Sequence, residues 1–238
     1  MDETKVAILK TRRPWFGPLG EFSWDLTIQL FERWQLRGMD WPKKIRRELK
    51  AEFAGVDSNA LALSMQSHGL GSLTYGDTSL LACHRLLDPL PRDFRFLDLG
   101  SGRGVPTLTA AALGFRSAAG VEFVPRHVEG ARRVADKLGL KCEFYCGDFE
   151  ELQWPEADLI MICSTGFSVK LRERLQLLLL RLAHPPKLIL TLDWILDEPF
   201  QLVRRYVCPV GWGTANFLFY ELKPGDAPEP GQGGAPLD

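Results

Sequence analysis

The sequence predicts an α/β fold: a doubly wound seven-stranded sheet, parallel for most of its width, closed by a C-terminal antiparallel hairpin and preceded by a helical N-terminal segment. Three observations carry this. From Phe94 onward, short apolar runs alternate with stretches of helical period, the pattern of a parallel sheet covered on both faces. The last two runs, FQLVRRYVCPV and TANFLFYELK, flank only Gly211, Trp212 and Gly213, the spacing of a hairpin. Residues up to about 70 show helical periodicity instead.

Taken in order, the first predicted helix follows a Ser23 cap, and Trp24, Ile28, Phe31 and Trp34 fall on one apolar stripe before Gly38 ends it. Trp15, Trp24, Trp34 and Trp41 give this region an unusual aromatic load. A second helix starts at Pro42, with Ile45, Leu49 and Phe53 inward and Lys43, Lys44, Arg46, Arg47 and Lys50 outward. That basic face is either solvated or a dock for an acidic macromolecule. Beyond it, FRFLDLG reads as a strand, VPTLTAAALGF as a helix and RSAAGVEF as a strand. PRHVEGARRVADKLGL is a helix, KCEFYCGDF and ADLIMICS are strands, KLRERLQLLLLRLA is a helix and KLILTLDW a strand. The terminal PGDAPEPGQGGAPLD has too few apolar side chains to offset ordering entropy. The expected division is a helical lid or substrate segment over 1–70, a core over 71–223 and a disordered tail over 224–238.

Composition excludes several classes. Lys and Arg number 29 against 30 Asp and Glu, a net charge of −1, so no global field draws the chain to nucleic acid or anionic membrane, and nucleic acid is not expected as a partner. LQLLLL is cut off on either side by Arg174 and Arg181, so no run reaches the ~18 apolar residues of a membrane span. The N-terminus MDETKVAILKTRR lacks the apolar region of a secretory signal, and a cytoplasmic location is expected. Cysteines at 83, 142, 146, 163 and 208 form no CxxC pair, and no metal is expected. Cys142 and Cys146 share one strand face and read as buried thiols.

The stretch FLDLGSGRG is the first strand of the sheet and its following turn, the place where open parallel sheets bind ligands. It lacks the Gly-Lys-Ser/Thr ending of a Walker A loop. Its glycines, Gly100, Gly102 and Gly104, run G-x-G-x-G behind Asp98, whereas the dinucleotide fingerprint is G-x-G-x-x-G. A carboxylate there repels a pyrophosphate and attracts an ammonium, so the turn suits a nucleoside with a cationic tail. Glu122 ends the second strand at the distance where an acid accepts from ribose hydroxyls. Asp148 ends the third, placed to accept from an adenine amino group while Phe149 lies against the ring. Three acids at three consecutive strand ends point to an adenosyl ligand.

Over residues 90–223 these features resemble the class I S-adenosylmethionine-dependent methyltransferases, whose sheet is Rossmann-like with a closing antiparallel hairpin. Tyr75, Gly76, Asp77, Thr78 and Ser79 resemble more closely the Tyr-Gly-Glu-Thr-Ser signature of the Dot-one-like (disruptor of telomeric silencing) histone lysine methyltransferases, at the same distance upstream of DLGSG. The resemblance implies a loop that closes over the methionine part of S-adenosylmethionine, with Asp77 in the role of the family's Glu. Read from the residues alone, that loop is a turn in which Asp77 or Thr78 caps the next helix. The cofactor-binding residues implied are Tyr75, Asp77, Thr78, Asp98, Gly100, Ser101, Gly102, Glu122, Phe123, Asp148, Phe149 and Ser164. Trp212 resembles the tryptophan of the family's acceptor channel, which Phe167 and Tyr75 complete. The family's two consecutive Asn and Phe-x-Phe after strand four are replaced by Cys163, Ser164, Thr165, Gly166 and Phe167, of which only Phe167 matches.

Methyl transfer is an in-line displacement that needs positioning and an acceptor lone pair, and an aromatic channel would deliver a lysine amine in neutral form. The expected acceptor is therefore a protein lysine. A small-molecule N- or O-methyltransferase and a non-catalytic adenosyl-ligand-binding protein are the alternatives. The Asp/Asn-Pro-Pro-Tyr motif of nucleobase amine methylation is absent after strand four.

Overall fold

The strands that predict a parallel sheet are too apolar to face water. In β1 (Arg95–Leu99) four of five residues are buried, and in β4 (Leu159–Ile162) all four are. The computed structural model describes residues 30–58, 60–61, 76, 78–164, 166–210 and 213–223. Over these, β1, β2 (Ser117–Glu122), β3 (Glu143–Cys146), β4 and β5 (Leu188–Leu192) run parallel. β7 (Gly213–Leu222) joins antiparallel to β5, and β6 (Phe200–Val210) pairs antiparallel with β7. The order is β3-β2-β1-β4-β5-β7-β6, a single seven-stranded sheet. The winding therefore reverses between β1 and β4 and leaves a crevice at their carboxyl ends.

Alternate residues of β1 serve opposite faces. Phe96 packs with Leu86 of α2 (Leu80–Leu87) and Ala110 of α3 (Val105–Ala112), whereas Leu97 and Leu99 pack with Leu171 and Leu175 of α5 (Val169–Leu180). α2 begins at Ser79, whose hydroxyl accepts from the Ala82 N–H at 3.0 Å. The cap is thus Ser79, not Asp77 or Thr78, because the Thr78 hydroxyl faces Cys163 Sγ at 3.3 Å. Asp77 lies outside the described residues.

α1 (Asp40–Glu52) begins at Asp40, two residues before Pro42, and buries Ile45 and Leu49 as expected; Phe53 after it is also buried. It packs on α4 (Pro125–Leu138), where Gly130 makes room: a Cβ there would run into the Phe53 ring. Glu52 closes the contact with ion pairs to Arg126, Arg133 and Lys137. The N-terminal helix is thereby joined to the sheet-covering layer rather than standing apart from it.

Two expectations are corrected. In the helical stretch 30–35, Phe31 and Trp34 face outward, Trp34 being 54% exposed, while Glu32 and Leu36 are buried. The reason is Glu32, which accepts from the Leu81 N–H at the start of α2 at 3.1 Å and pairs with Arg46 at 3.2 Å. Satisfying that buried carboxylate fixes the rotation of this stretch and turns Phe31 and Trp34 outward. Trp24 and Ile28 lie outside the described residues, as does the tail over 224–238. Cys146 is exposed and Cys142 half-buried, because β3 is the edge strand and only Phe144 points into the core.

Candidate active site

The glycine turn is a run of left-handed backbone: Gly100, Gly102 and Gly104 have φ of 78°, 52° and 84°. At Gly104 space is short as well, since a Cβ would meet the Phe144 ring at 2.7 Å. The Gly100 and Ser101 N–H groups both donate to Val121 O at 2.9 Å, folding the turn back over β2. The Gly102 N–H donates to Glu122 Oε2 at 2.8 Å, and the Val124 N–H donates to Glu122 Oε1, also at 2.8 Å. Glu122 is therefore the anchor of the turn. Burial raises its pKa above the usual carboxylate range, against the lowering effect of these N–H donors. His127 approaches Glu122 Oε1 to 4.0 Å and bonds Ser58 Oγ through Nε2 at 3.0 Å. Burial, with Arg103 and Arg126 nearby, lowers His127 to about 4, so it stands neutral near pH 7.

Asp98 is fully buried. Thr107 Oγ1 donates to its Oδ2 at 3.3 Å, and Oδ1 has no partner among the described residues. Burial, offset in part by Thr107 and reinforced by Glu122, pushes its pKa up to about 8. A buried carboxyl oxygen without a donor is costly, and a ligand ammonium is the group that would relieve it. The Thr78–Cys163 contact lies close by. Burial, with the Asp98 charge adding, holds the Cys163 thiol up at about 12, so it is a contact and not a nucleophile.

Asp148 uses one oxygen locally, accepting from the Glu150 N–H at 2.8 Å. Phe149 meets Phe167 at 5.6 Å between ring centroids, and a Cβ on Gly100 would touch the Phe167 ring at 3.3 Å. Phe167, from the β4–α5 loop, thus reaches over the end of β1 to the loop after β3. The structure brings Asp98, Gly100, Gly102, Glu122, Phe149 and Phe167 around one crevice, with Thr78 at its α2 side. Ser101 is buried against Gly120, and its hydroxyl has no partner among the described residues. Phe123 is half-buried beside Glu122. Ser164 is committed inward, donating to Leu192 O at 3.0 Å. Tyr75, Asp77 and Trp212 lie outside the described residues. A separate cavity of about 510 Å³, lined by Trp154, Ile160, Leu178 and His184, shares Phe149 with the crevice but none of its three acids.

Sequence reasoning missed two groups here. One is the Ser58–His127 pair behind Glu122. The other is Asp193, which follows β5 and binds Asn216; the rule of an acid at a strand end would have found it in KLILTLDW.

Among the described residues no three His, Cys, Asp or Glu converge as a metal site, and no helix is long and apolar enough to cross a membrane. Residues 96–183 match the family model described as a methyltransferase domain. The fold is similar to that of an RNA methyltransferase from Salinibacter ruber in complex with S-adenosyl-L-homocysteine: TM-score 0.51 and 22% identity over 63% of this chain and 95% of that one. It is similar also to PH1948 from Pyrococcus horikoshii, with TM-score 0.50 and 16% identity over 71% of this chain and 97% of that one. No curated protein sequence matches significantly. The fold is that of the class I S-adenosylmethionine-dependent methyltransferases, and the chain carries such an enzyme domain, with S-adenosylmethionine as its cofactor.

Proposed function

We propose that this enzyme methylates an amine nitrogen and that its acceptor is a lysine side chain of a protein. The observation that carries the reading is Phe167. Its ring lies against Gly100 and Phe149, an aromatic wall where the donor end of the crevice meets β4. S-adenosylmethionine supplies a methyl group activated on a sulfonium. Asp98 would hold its ammonium with the unpartnered Oδ1. Glu122 would take the ribose hydroxyls on lone pairs left over from Gly102 and Val124, and Asp148 with Phe149 would take adenine. Phe167, completed by Tyr75 and Trp212 on the family resemblance, would strip water from the incoming amine. Desolvation lowers an amine's pKa and frees the lone pair that must attack.

A second reading is an RNA nitrogen. The Salinibacter ruber protein is an RNA methyltransferase. The exposed face of α1 carries Lys43, Lys44, Arg47 and Lys50, a local cationic patch on a chain of net charge −1. One experiment decides. The protein is incubated with methyl-labelled S-adenosylmethionine and cell lysate, and the products are digested separately with protease and ribonuclease. Protease-sensitive label recovered as methyllysine is the expected result. Label released by ribonuclease overturns the lysine reading in favour of RNA, and label in the solvent extract overturns it in favour of a small molecule.

A further inference from the structure

We propose that Asp193, at the carboxyl end of β5, is the carboxylate that captures the charged amine of the acceptor before transfer. The inference rests on the amine-acceptor reading above. Asp193 is the one non-glycine residue with positive φ among the described residues, at 49°. Such a backbone persists only where the surroundings over-determine it, and it is concentrated at functional sites. Here Asn216 does so three times. Its N–H donates to Asp193 Oδ1 at 2.9 Å, its side-chain amide donates to the same oxygen at 2.8 Å, and its carbonyl accepts from the Asp193 N–H at 2.9 Å. Asn216 is fully buried, and its own Oδ1 accepts from Arg205 Nε at 2.9 Å. The side-chain amide is thus oriented by a cation on one side and donates to Oδ1, as the backbone N–H of the same residue does. No described donor reaches Oδ2.

The topology places that oxygen on the acceptor side. The three acids read for the cofactor end β1, β2 and β3, with the ammonium-binding Asp98 innermost. β5 lies two strands from β1 on the other side of the winding reversal, roughly 10 Å away at ordinary strand spacing. β5 stops at Leu192 opposite Phe217, while β6 and β7 stay paired for four further residues, Val207–Val210 with Gly213–Asn216. The hairpin therefore stands beyond the sheet's rim as a wall, with Asp193 at its foot. Arg172, which donates to Ser164 O at 2.8 Å, is the other charge that feels Asp193. A lysine amine, with an ordinary pKa near 10.4, reaches any site protonated, so a carboxylate at the rim answers the form that arrives.

Asp193→Asn separates this role from a bracing one. Asparagine tolerates the left-handed backbone and keeps an oxygen for both Asn216 donors, so only the charge is lost. The probe is n-butylammonium, with n-butanol as its neutral counterpart, observed by saturation-transfer NMR on protein saturated with S-adenosylhomocysteine. The expected result is preference for butylammonium in the wild type and a ~10-fold loss of it in Asp193→Asn, corresponding to about 1.4 kcal/mol. Melting temperature and S-adenosylhomocysteine affinity should stay unchanged. Equal binding by both proteins overturns the proposal, as does no preference in the wild type. A parallel fall in melting temperature and cofactor affinity overturns it too, since that marks a brace. If lysate label goes to RNA, whose base nitrogens arrive uncharged, the acceptor role of Asp193 falls with the lysine reading even where the butylammonium preference holds; label on lysine without that preference sinks Asp193 alone.

Discussion

On the β1–β2–β3 side of the sheet the strand ends carry Asp98, Glu122 and Asp148, and the carboxylates of Glu122 and Asp148 hold backbone N–H groups of the adjoining loops. On the β5–β7 side the end of the sheet is held by side chains from three neighbouring strands, Asp193 to Asn216 to Arg205. The first arrangement is local in sequence and built on glycine. The second exists only once β7 has paired with β5. On the proposed reading, this difference separates what a cofactor common to many enzymes requires from what one acceptor requires: the first side would answer a fixed ligand, and the second could vary without disturbing it.

The largest effect that would break this division is at the glycine turn. Gly104→Ala adds a Cβ against Phe144 at a φ of 84°, which combines a left-handed penalty of about 1–2 kcal/mol with overpacking of about 1–3 kcal/mol. Thermal unfolding should show that loss together with loss of cofactor binding. Gly139→Ala, at a φ of 63° with nothing within 4 Å, should cost only the backbone part, about 1–2 kcal/mol, and leave binding intact.

Next in size is Asp98→Asn. Removing the charge should weaken S-adenosylhomocysteine by ~10²-fold by calorimetry, because a charge-assisted bond of about 1.5–3 kcal/mol is lost. Above about pH 8 the cofactor-free variant should melt higher than wild type, since no ionised carboxyl is then buried. A variant that keeps its affinity would remove Asp98 from the cofactor side. On the other side, Asn216→Ala removes one of the two donors to Asp193 Oδ1 and the acceptor of Arg205, and should cost about 1–3 kcal/mol of stability. Its S-adenosylhomocysteine affinity should stay within ~2-fold, the tolerance for sites without shared partners. A large affinity loss there would merge the two halves.

The pH dependence follows from Asp98. Its folded value of about 8 lies above the ordinary 3.8, so the folded, cofactor-free protein holds a proton that the unfolded chain releases. The stability from this group is fully present below about pH 4 and is lost as pH rises through about 8. Cofactor binding needs the anion and must expel that proton. Affinity for S-adenosylhomocysteine should therefore climb by up to ~10-fold per unit from about pH 6 and flatten near pH 8, with proton release visible in buffers of different ionisation heat. The smallest effect expected is Phe149→Leu, a loss of ~2–10-fold in affinity as stacking is replaced by plain apolar contact.

The sheet and its glycine turn were legible because their signals are local: an apolar run, then an acid, then glycines within nine residues from Phe96 to Gly104. The rotation of the first helix was not, because Glu32 takes its orientation from an N–H at residue 81, a partner no periodicity reveals. Asp193 was passed over for a related reason. Alone in LTLDW it looks like any surface acid, and its meaning comes from Asn216 across a strand pair. Cys146 was misjudged because face alternation says nothing about which strand lies at the edge.

The Phe53 ring occupies the volume that a side chain at Gly130 would fill, flanked by the guanidinium groups of Arg103 and Arg126 at 5.5 and 5.1 Å. The two positions are therefore a matched plug and socket. Gly130→Ala is expected to be tolerated only beside a smaller residue at 53, and a transplanted catalytic core without its amino-terminal helix would carry an open socket directly behind Glu122 and His127. Anyone recombining this domain with another amino-terminal segment inherits that constraint, and the graft succeeds or fails on one ring.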